Sequence, residues 1–92
     1  MDLFYADITF DFDDAYFDEK VIFLEHLFHQ NWINNNSEFN WKVPYNGNIE
    51  DTELLEIITK NINDAVKISN IDNVDYAIIM NKSIFFGSVI PN

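Results

Sequence analysis

The chain has 92 residues and a formal net charge of −11, because 16 acidic residues face five lysines and no arginine. This balance makes nucleic acid and anionic membrane poor direct partners, since each is bound through a basic patch. The absence of cysteine excludes disulfides and thiolate zinc sites.

The remaining composition predicts one folded domain over residues 1–92. Hydrophobic residues make up 48% of the chain and aromatic residues 16%, more than a disordered chain carries. No basic leader precedes an apolar core at the N-terminus, and no apolar run approaches the roughly 20 residues of a membrane span. We therefore expect a cytoplasmic protein, in a bacterial host cell.

The scarcity of lysine indicates that the negative charge is selected. Thirteen asparagines and thirteen isoleucines are typical of an AT-rich gene. AT-rich coding also enriches lysine, whereas lysine is rare here. Such a charge costs stability through self-repulsion but attracts cationic protein surfaces over long distances.

Alternation of apolar and polar residues predicts a first strand near the N-terminus. The apolar positions are Phe4, Ala6, Ile8, Phe10 and Phe12. The intervening positions are Tyr5, Asp7, Thr9 and Asp11. Period two is typical of a strand with one buried face, so the opposite face is expected to be acidic.

Helical spacing follows the first strand and predicts an amphipathic helix over residues 14–33. Asp13 or Asp14 is expected to cap it, because a carboxylate suits the positive end of a helix dipole. The asparagines and serine at 34–37 are expected to end it. Its expected core face is formed by Phe17, Val21, Leu24, Phe28 and Trp32.

The second half of the chain predicts a strand, a helix and a hairpin. The strand covers residues 38–43 and ends in a turn at Pro44 and Asn46-Gly47. Asn48 or Asp51 is expected to cap a helix that ends at about residue 69. Its expected core residues are Leu55, Ile58, Ile62 and Ala65. Strands over 75–80 and 83–90 form the hairpin, with Asn81-Lys82 at its turn.

These elements predict an α+β fold in the order βαβαββ. We expect a two-layer α/β sandwich, in which a mostly antiparallel sheet carries both helices on one face. No internal repeat, linker or second domain is indicated.

An acidic surface is the main functional candidate. Alternate residues of a strand stand roughly 6.8 Å apart, a spacing similar to that of successive phosphates on one nucleic acid strand. The open face of the first strand and the start of the helix would then present a phosphate-like row. Tyr5 is expected to anchor an interface, because tyrosine suits a half-wet contact. The candidate partner-binding residues are Tyr5, Asp7, Asp11, Asp13, Asp14, Asp18, Glu25, Glu50, Asp51 and Glu53.

Other roles for these carboxylates have weaker support. Glu50, Asp51 and Glu53 also suit the positive end of the second helix. Asp11, Asp13 and Asp14 have the oxygen ligands of a cation site. A calcium loop starting at Asp11 would place Tyr16 at its glycine position and Ile22 at its bidentate glutamate position, so that motif is absent.

No catalytic residue, metal or cofactor is expected, so we expect the protein not to be an enzyme. Two glycines in the whole chain exclude a glycine-rich phosphate loop. His26 and His29 lie one helical turn apart without third and fourth zinc ligands. Surface pairs Glu25–His29 and Glu56–Lys60 are expected instead, because both have i,i+4 spacing.

The chain resembles the Arn family of anti-restriction proteins of T-even phages in length, acidity and Asn/Ile-rich composition, over its whole length. The resemblance implies a DNA mimic: a dimer whose carboxylates imitate duplex phosphates. In that family, the mimic occupies the DNA site of the modification-dependent restriction enzyme McrBC.

Together, composition and resemblance predict a phage-encoded anti-restriction protein. Its expected partner is a basic DNA-binding protein, with no direct contact to nucleic acid or membrane, and it is expected to form a homodimer. The alternative is an immunity protein that covers the basic active site of a toxin nuclease. A metal-dependent enzyme using Asp11, Asp13 and Asp14 is the weakest hypothesis.

Overall fold

The chain folds as a five-stranded sheet with two helices on one face. The computed structural model describes residues 3–12, 15–37, 39–71, 73–80 and 83–89. In chain order, the elements are β1 (Leu3–Phe12), α1 (Phe17–His29), β2 (Ile33–Ser37), β3 (Asn40–Asn46), α2 (Asp51–Ser69), β4 (Val74–Met80) and β5 (Ser83–Val89). The predicted α+β class and two-layer arrangement are confirmed.

The sheet has the order β2-β3-β1-β4-β5, and every neighbouring pair is antiparallel. β1 is the central strand, and one of its faces is continuously apolar. Ala6, Ile8 and Phe10 on this face are almost completely buried. This part of β1 therefore lies in the middle of the core.

Phe23 of α1 fixes the helical layer on the sheet. Its ring meets the rings of Phe10 and Phe12 edge to face, with centroids 5.2 Å apart in both pairs. This arrangement is a favourable one for aromatic rings. Trp32 stacks on Phe10, with their ring centroids 6.1 Å apart.

The core face predicted for α1 is wrong at Phe17, Val21 and Phe28, whereas Leu24 is partly buried against the core. Phe17 and Phe28 are 77% and 68% exposed, whereas Phe23 and Leu27 are buried. We call a row of apolar residues along one side of the helix a stripe. At 100° per residue, the stripe that contains the buried Phe23 and Leu27 lies about 100° around the helix from the predicted core face. Both stripes are apolar, and the aromatic contacts with β1 select the stripe that contains Phe23.

The ends of α1 also differ from the prediction. The N-cap is Tyr16, whose backbone N–H donates to the Glu19 carboxylate at 3.1 Å. Asp13 and Asp14, predicted as caps, lie outside the described residues. The helix ends at His29 because Asn31 adopts a left-handed conformation, with φ of 68°. Trp32 therefore reaches the core from the connection and not from the helix.

β2 is an additional strand that the sequence did not predict. Residue 33, expected to be helical, and residues 34–37, expected to end the helix, form β2, which pairs with β3 through Ile33–Lys42 and Asn34–Trp41. β3 continues through Pro44 to Asn46, beyond its predicted end. Proline is tolerated there because the paired residues of β2 do not extend to Pro44, so its missing N–H breaks no bond to β2.

α2 matches its predicted length and core side. Leu54, Ile58 and Ile62 are almost fully buried, and Leu55 is partly buried. The N-cap is Glu50, without a side-chain capping bond, and not Asn48 or Asp51. At the other end, the buried Ser69 hydroxyl donates to the Val66 carbonyl and accepts from the Ile71 N–H.

The predicted hairpin is confirmed as β4 and β5, while its turn at 81–82 lies outside the described residues. β5 is an edge strand with the uncharged sequence SIFFGSV. Gly87 lies opposite Tyr76 of β4 in the pairing register. Burial raises the pKa of the Tyr76 hydroxyl above its ordinary value, because the phenolate would lose hydration.

Gly87→Ala is expected to destabilise the protein by about 1–3 kcal/mol, because the new methyl group overpacks the site. A Cβ at this position would lie 2.5 Å from Cζ of Tyr76, so the ring has to move. Urea unfolding measures the effect. Ser83→Ala, at an exposed position of the same strand, is the control and should be neutral. Equal stability of the Gly87→Ala variant and the wild type would contradict the close ring contact.

Candidate partner-binding surface

The open face of the sheet carries the first group of predicted site residues. Tyr5, Asp7, Thr9 and Asp11 lie on the side of β1 opposite the buried apolar residues, as predicted. Lys42 of β3 lies opposite Asp7 in the register, and its ammonium group is 3.2 Å from the Asp7 carboxylate. Lys42 also lies 5.9 Å from the centre of the Tyr5 ring.

The charge of Asp7 is therefore balanced locally. Residues 6–19 contain no basic residue, so the counter-charge comes from Lys42 of β3. Both side chains are substantially exposed, so the ion pair contributes about 0–1 kcal/mol to stability.

Asp11 gains an acidic neighbour that sequence reasoning missed. It lies directly opposite Asp75 of β4, and both residues are exposed. The Ser88 hydroxyl of β5 donates a hydrogen bond to Asp75. Two carboxylates thus meet at the end of β1 that leads to residues 13 and 14, which lie outside the described residues.

The open face as a whole is mixed in character. Beside these carboxylates, it carries Ile79, Ile84 and Phe86, and Phe86 is 81% exposed. The pairs Ile79–Ile84 and Ala77–Phe86 place these apolar side chains next to one another on β4 and β5. A continuous phosphate-like row along β1 is interrupted at Asp7 by Lys42.

A second acidic surface lies at one end of the helical layer. Gln30 and Asn31, just after α1, line a cavity of about 360 Å³ together with Leu54 and Ile57 of α2. The end of α1 therefore lies beside the start of α2. We call the carboxylates carried by these helix ends the acidic end: Glu25, Glu50, Asp51, Glu53 and Glu56.

Most of the acidic end has no counter-charge. Glu25, Glu50 and Glu53 are exposed, and their side-chain carboxylates form no ion pair or hydrogen bond within the described part of the chain. Adjacent carboxylates Glu53 and Glu56 have i,i+3 spacing, which places Cβ atoms roughly 5–6 Å apart. The acidic end therefore presents several unbalanced charges from two rigid elements.

The two side-chain pairs predicted on the helices do not form. Glu25 forms no ion pair or hydrogen bond with His29, and Glu56 forms none with Lys60. Glu56 consequently joins the acidic end, although the sequence favoured its neutralisation. Asp18 is also exposed and lies near the start of α1, away from the acidic end.

An apolar groove runs along α1 beside the acidic residue Glu25. It is a shallow groove, widely open to solvent, with a volume of about 370 Å³, and it is lined by Val21, Leu24, Glu25, Phe28, Asn34 and Trp41. The exposed stripe of α1 forms one wall, and Trp41 of β3 lies opposite it. This groove exists because α1 turns Phe23, and not Phe28, toward the core.

The described residues hold no group of three or more His, Asp or Glu side chains placed to bind a metal ion. Within the same ranges, no helix is long and apolar enough to cross a membrane. No protein-family model matches the chain, and searches of curated proteins and of solved structures found no similar protein.

Proposed function

We propose that this protein is a phage-encoded DNA mimic that inhibits a host restriction enzyme of the modification-dependent McrBC type. It would act in the bacterial cytoplasm by occupying the DNA-binding site of the enzyme. The acidic end carries the proposal, because the carboxylates of Glu25, Glu50 and Glu53 are exposed and unpaired near two helix ends that lie side by side.

The physical basis is the match between fixed carboxylates and a site built for phosphates. A DNA-binding cleft concentrates lysine and arginine to neutralise the duplex backbone. A folded protein of net charge −11 is drawn to such a cleft over long distances, and screening by salt weakens this attraction. The resemblance to T-even phage anti-restriction proteins supports the choice of a restriction enzyme as the target.

A homodimer is part of the proposal. β5 offers unpaired edge hydrogen-bonding groups and carries no charge. Two copies that meet at this edge would avoid contact between like charges. Dimerisation would also double the number of carboxylates presented to the target.

The proposal is tested by competition between the protein and modified DNA for purified McrBC. DNA binding and GTP-dependent DNA cleavage are followed across a salt series. We expect inhibition of both at low salt and recovery of both as salt rises. GTP hydrolysis without DNA should change little, which controls for inactivation of the enzyme.

Failure to inhibit at low salt would reject McrBC as the target. A further comparison separates a DNA mimic from the alternative, an immunity protein. A mimic also competes with DNA for unrelated basic DNA-binding proteins at low salt, whereas an immunity protein binds one cognate toxin nuclease. Selectivity for one nuclease would favour the immunity function.

A further inference from the structure

The exposed stripe of α1 is a surface that charge mimicry alone does not use. Phe17, Val21 and Phe28 lie on one side of the helix and are exposed, while Leu24 is partly buried. Together with Trp41, three of these four residues line the groove of about 370 Å³. A shallow apolar groove of this size offers a contact surface for a large side chain of another protein.

Two carboxylates of α1 lie beside this groove on its solvent-facing side. At 100° per residue, Glu25 and Asp18 lie about 40–60° further around α1 than Val21. Glu25 is also one of the residues that line the groove. The groove therefore combines an apolar interior with an acidic rim.

We propose that the groove binds an apolar side chain of a cationic partner protein, while Asp18 and Glu25 pair with lysines or arginines beside that side chain. The choice of a cationic protein rests on the proposed function. A second copy of this chain fits less well, because it would bring another net charge of −11 to the rim. A partner helix with leucine or phenylalanine next to basic residues has the complementary pattern.

This mode of binding gives the complex a component that resists salt. Screening weakens the contacts at Asp18 and Glu25, whereas burial of an apolar side chain persists at high salt. The groove would also contribute specificity, since a cationic surface without a suitable apolar side chain leaves it empty. Charge would bring the partners together, and the groove would select among them.

Two synthetic helical peptides of about 18 residues provide the probes. Both carry the same lysines on one face, but one has leucine and the other alanine on the opposite face. We expect the leucine peptide to bind at least about tenfold more tightly, a difference that persists at high salt. Chemical-shift changes in methyl groups should concentrate at Val21 and Leu24.

The variant V21N/F28N removes apolar contacts from the groove at exposed positions. We expect it to reduce leucine-peptide binding at least about tenfold and alanine-peptide binding little. Ile22→Asn, on the same helix but outside the groove lining, is the matched control and should bind like the wild type. If the double variant fails to fold by circular dichroism, Phe28→Ala replaces it.

Equal binding of both peptides would overturn the proposal, as would normal leucine-peptide binding by V21N/F28N. Sedimentation gives a third test: a wild-type dimer that V21N/F28N converts to a monomer would show that a second copy fills the groove. These measurements do not involve a restriction enzyme. Failure of the protein to inhibit McrBC would therefore reject the proposed target, and the peptide measurements would still decide whether the groove binds cationic helices.

Discussion

Replacing Phe23 by alanine is expected to lower the free energy of unfolding by about 3–5 kcal/mol, the usual cost of truncating a buried phenylalanine. Its side chain is fully buried and packs edge to face against Phe10 and Phe12. Domains of this kind are typically stable by about 5–15 kcal/mol. The variant should therefore unfold at a much lower urea concentration, and partial unfolding without urea would be consistent with this loss.

Phe28→Ala is the matched control, because it makes the same chemical change on the same helix. Phe28 is largely exposed, and most surface substitutions change stability by about 0.5 kcal/mol or less. A larger loss for Phe28→Ala than for Phe23→Ala would show that α1 presents the face predicted from the sequence to the sheet, and comparable losses would contradict the exposure of Phe28. The two variants together thus test directly which side of α1 faces the sheet.

Neutralising the acidic end is expected to have the largest effect on inhibition. We expect the triple variant Glu25→Gln, Glu53→Gln and Glu56→Gln to raise the concentration needed to inhibit McrBC at least about tenfold. A total loss of only about 1.4 kcal/mol over the three groups suffices for this change. Competition binding at fixed salt measures it, and the salt dependence should become shallower.

The matched control removes the same number of charges from the open face through Asp7→Asn, Asp11→Asn and Asp75→Asn. Inhibition should fall less, because Asp7 is already paired with Lys42. Both triple variants should remain folded, since removing like charges reduces self-repulsion. Equal losses would indicate that net charge alone governs inhibition, and a larger loss in the control would identify the open face as the binding surface.

Elements with one unambiguous apolar pattern were predictable from the sequence. β1 has strict alternation, and α2 has one apolar stripe, so burial follows directly from periodicity. α1 was not predictable in this way, because apolar residues occupy two neighbouring stripes and tertiary contacts with Phe10 and Phe12 select one. β2 has the sequence INNNS, which lacks a strand pattern, and its pairing depends on β3.

Predictions about the charged surface were limited by the same long-range pairing. Lys42 and Asp75 are distant from β1 in sequence, and only the sheet register places them opposite Asp7 and Asp11. The acidic residues at the start of α2 were recognisable as candidates. Their position at the same end of the helical layer as the end of α1 depends on the packing of the two helices, which no local sequence pattern specifies.

The central position of β1 has a consequence for synthesis of the protein. β1 pairs with β3 and β4, so residue 7 of the chain has to meet residues 42 and 79. Contacts of such separation slow folding, typically to milliseconds or longer in sheet-rich domains. On the ribosome, β1 has no β4 partner until most of the chain has emerged. The sheet is therefore completed only after β4 and β5 have been synthesised, and its acidic first strand is exposed to solvent before it pairs with its neighbours.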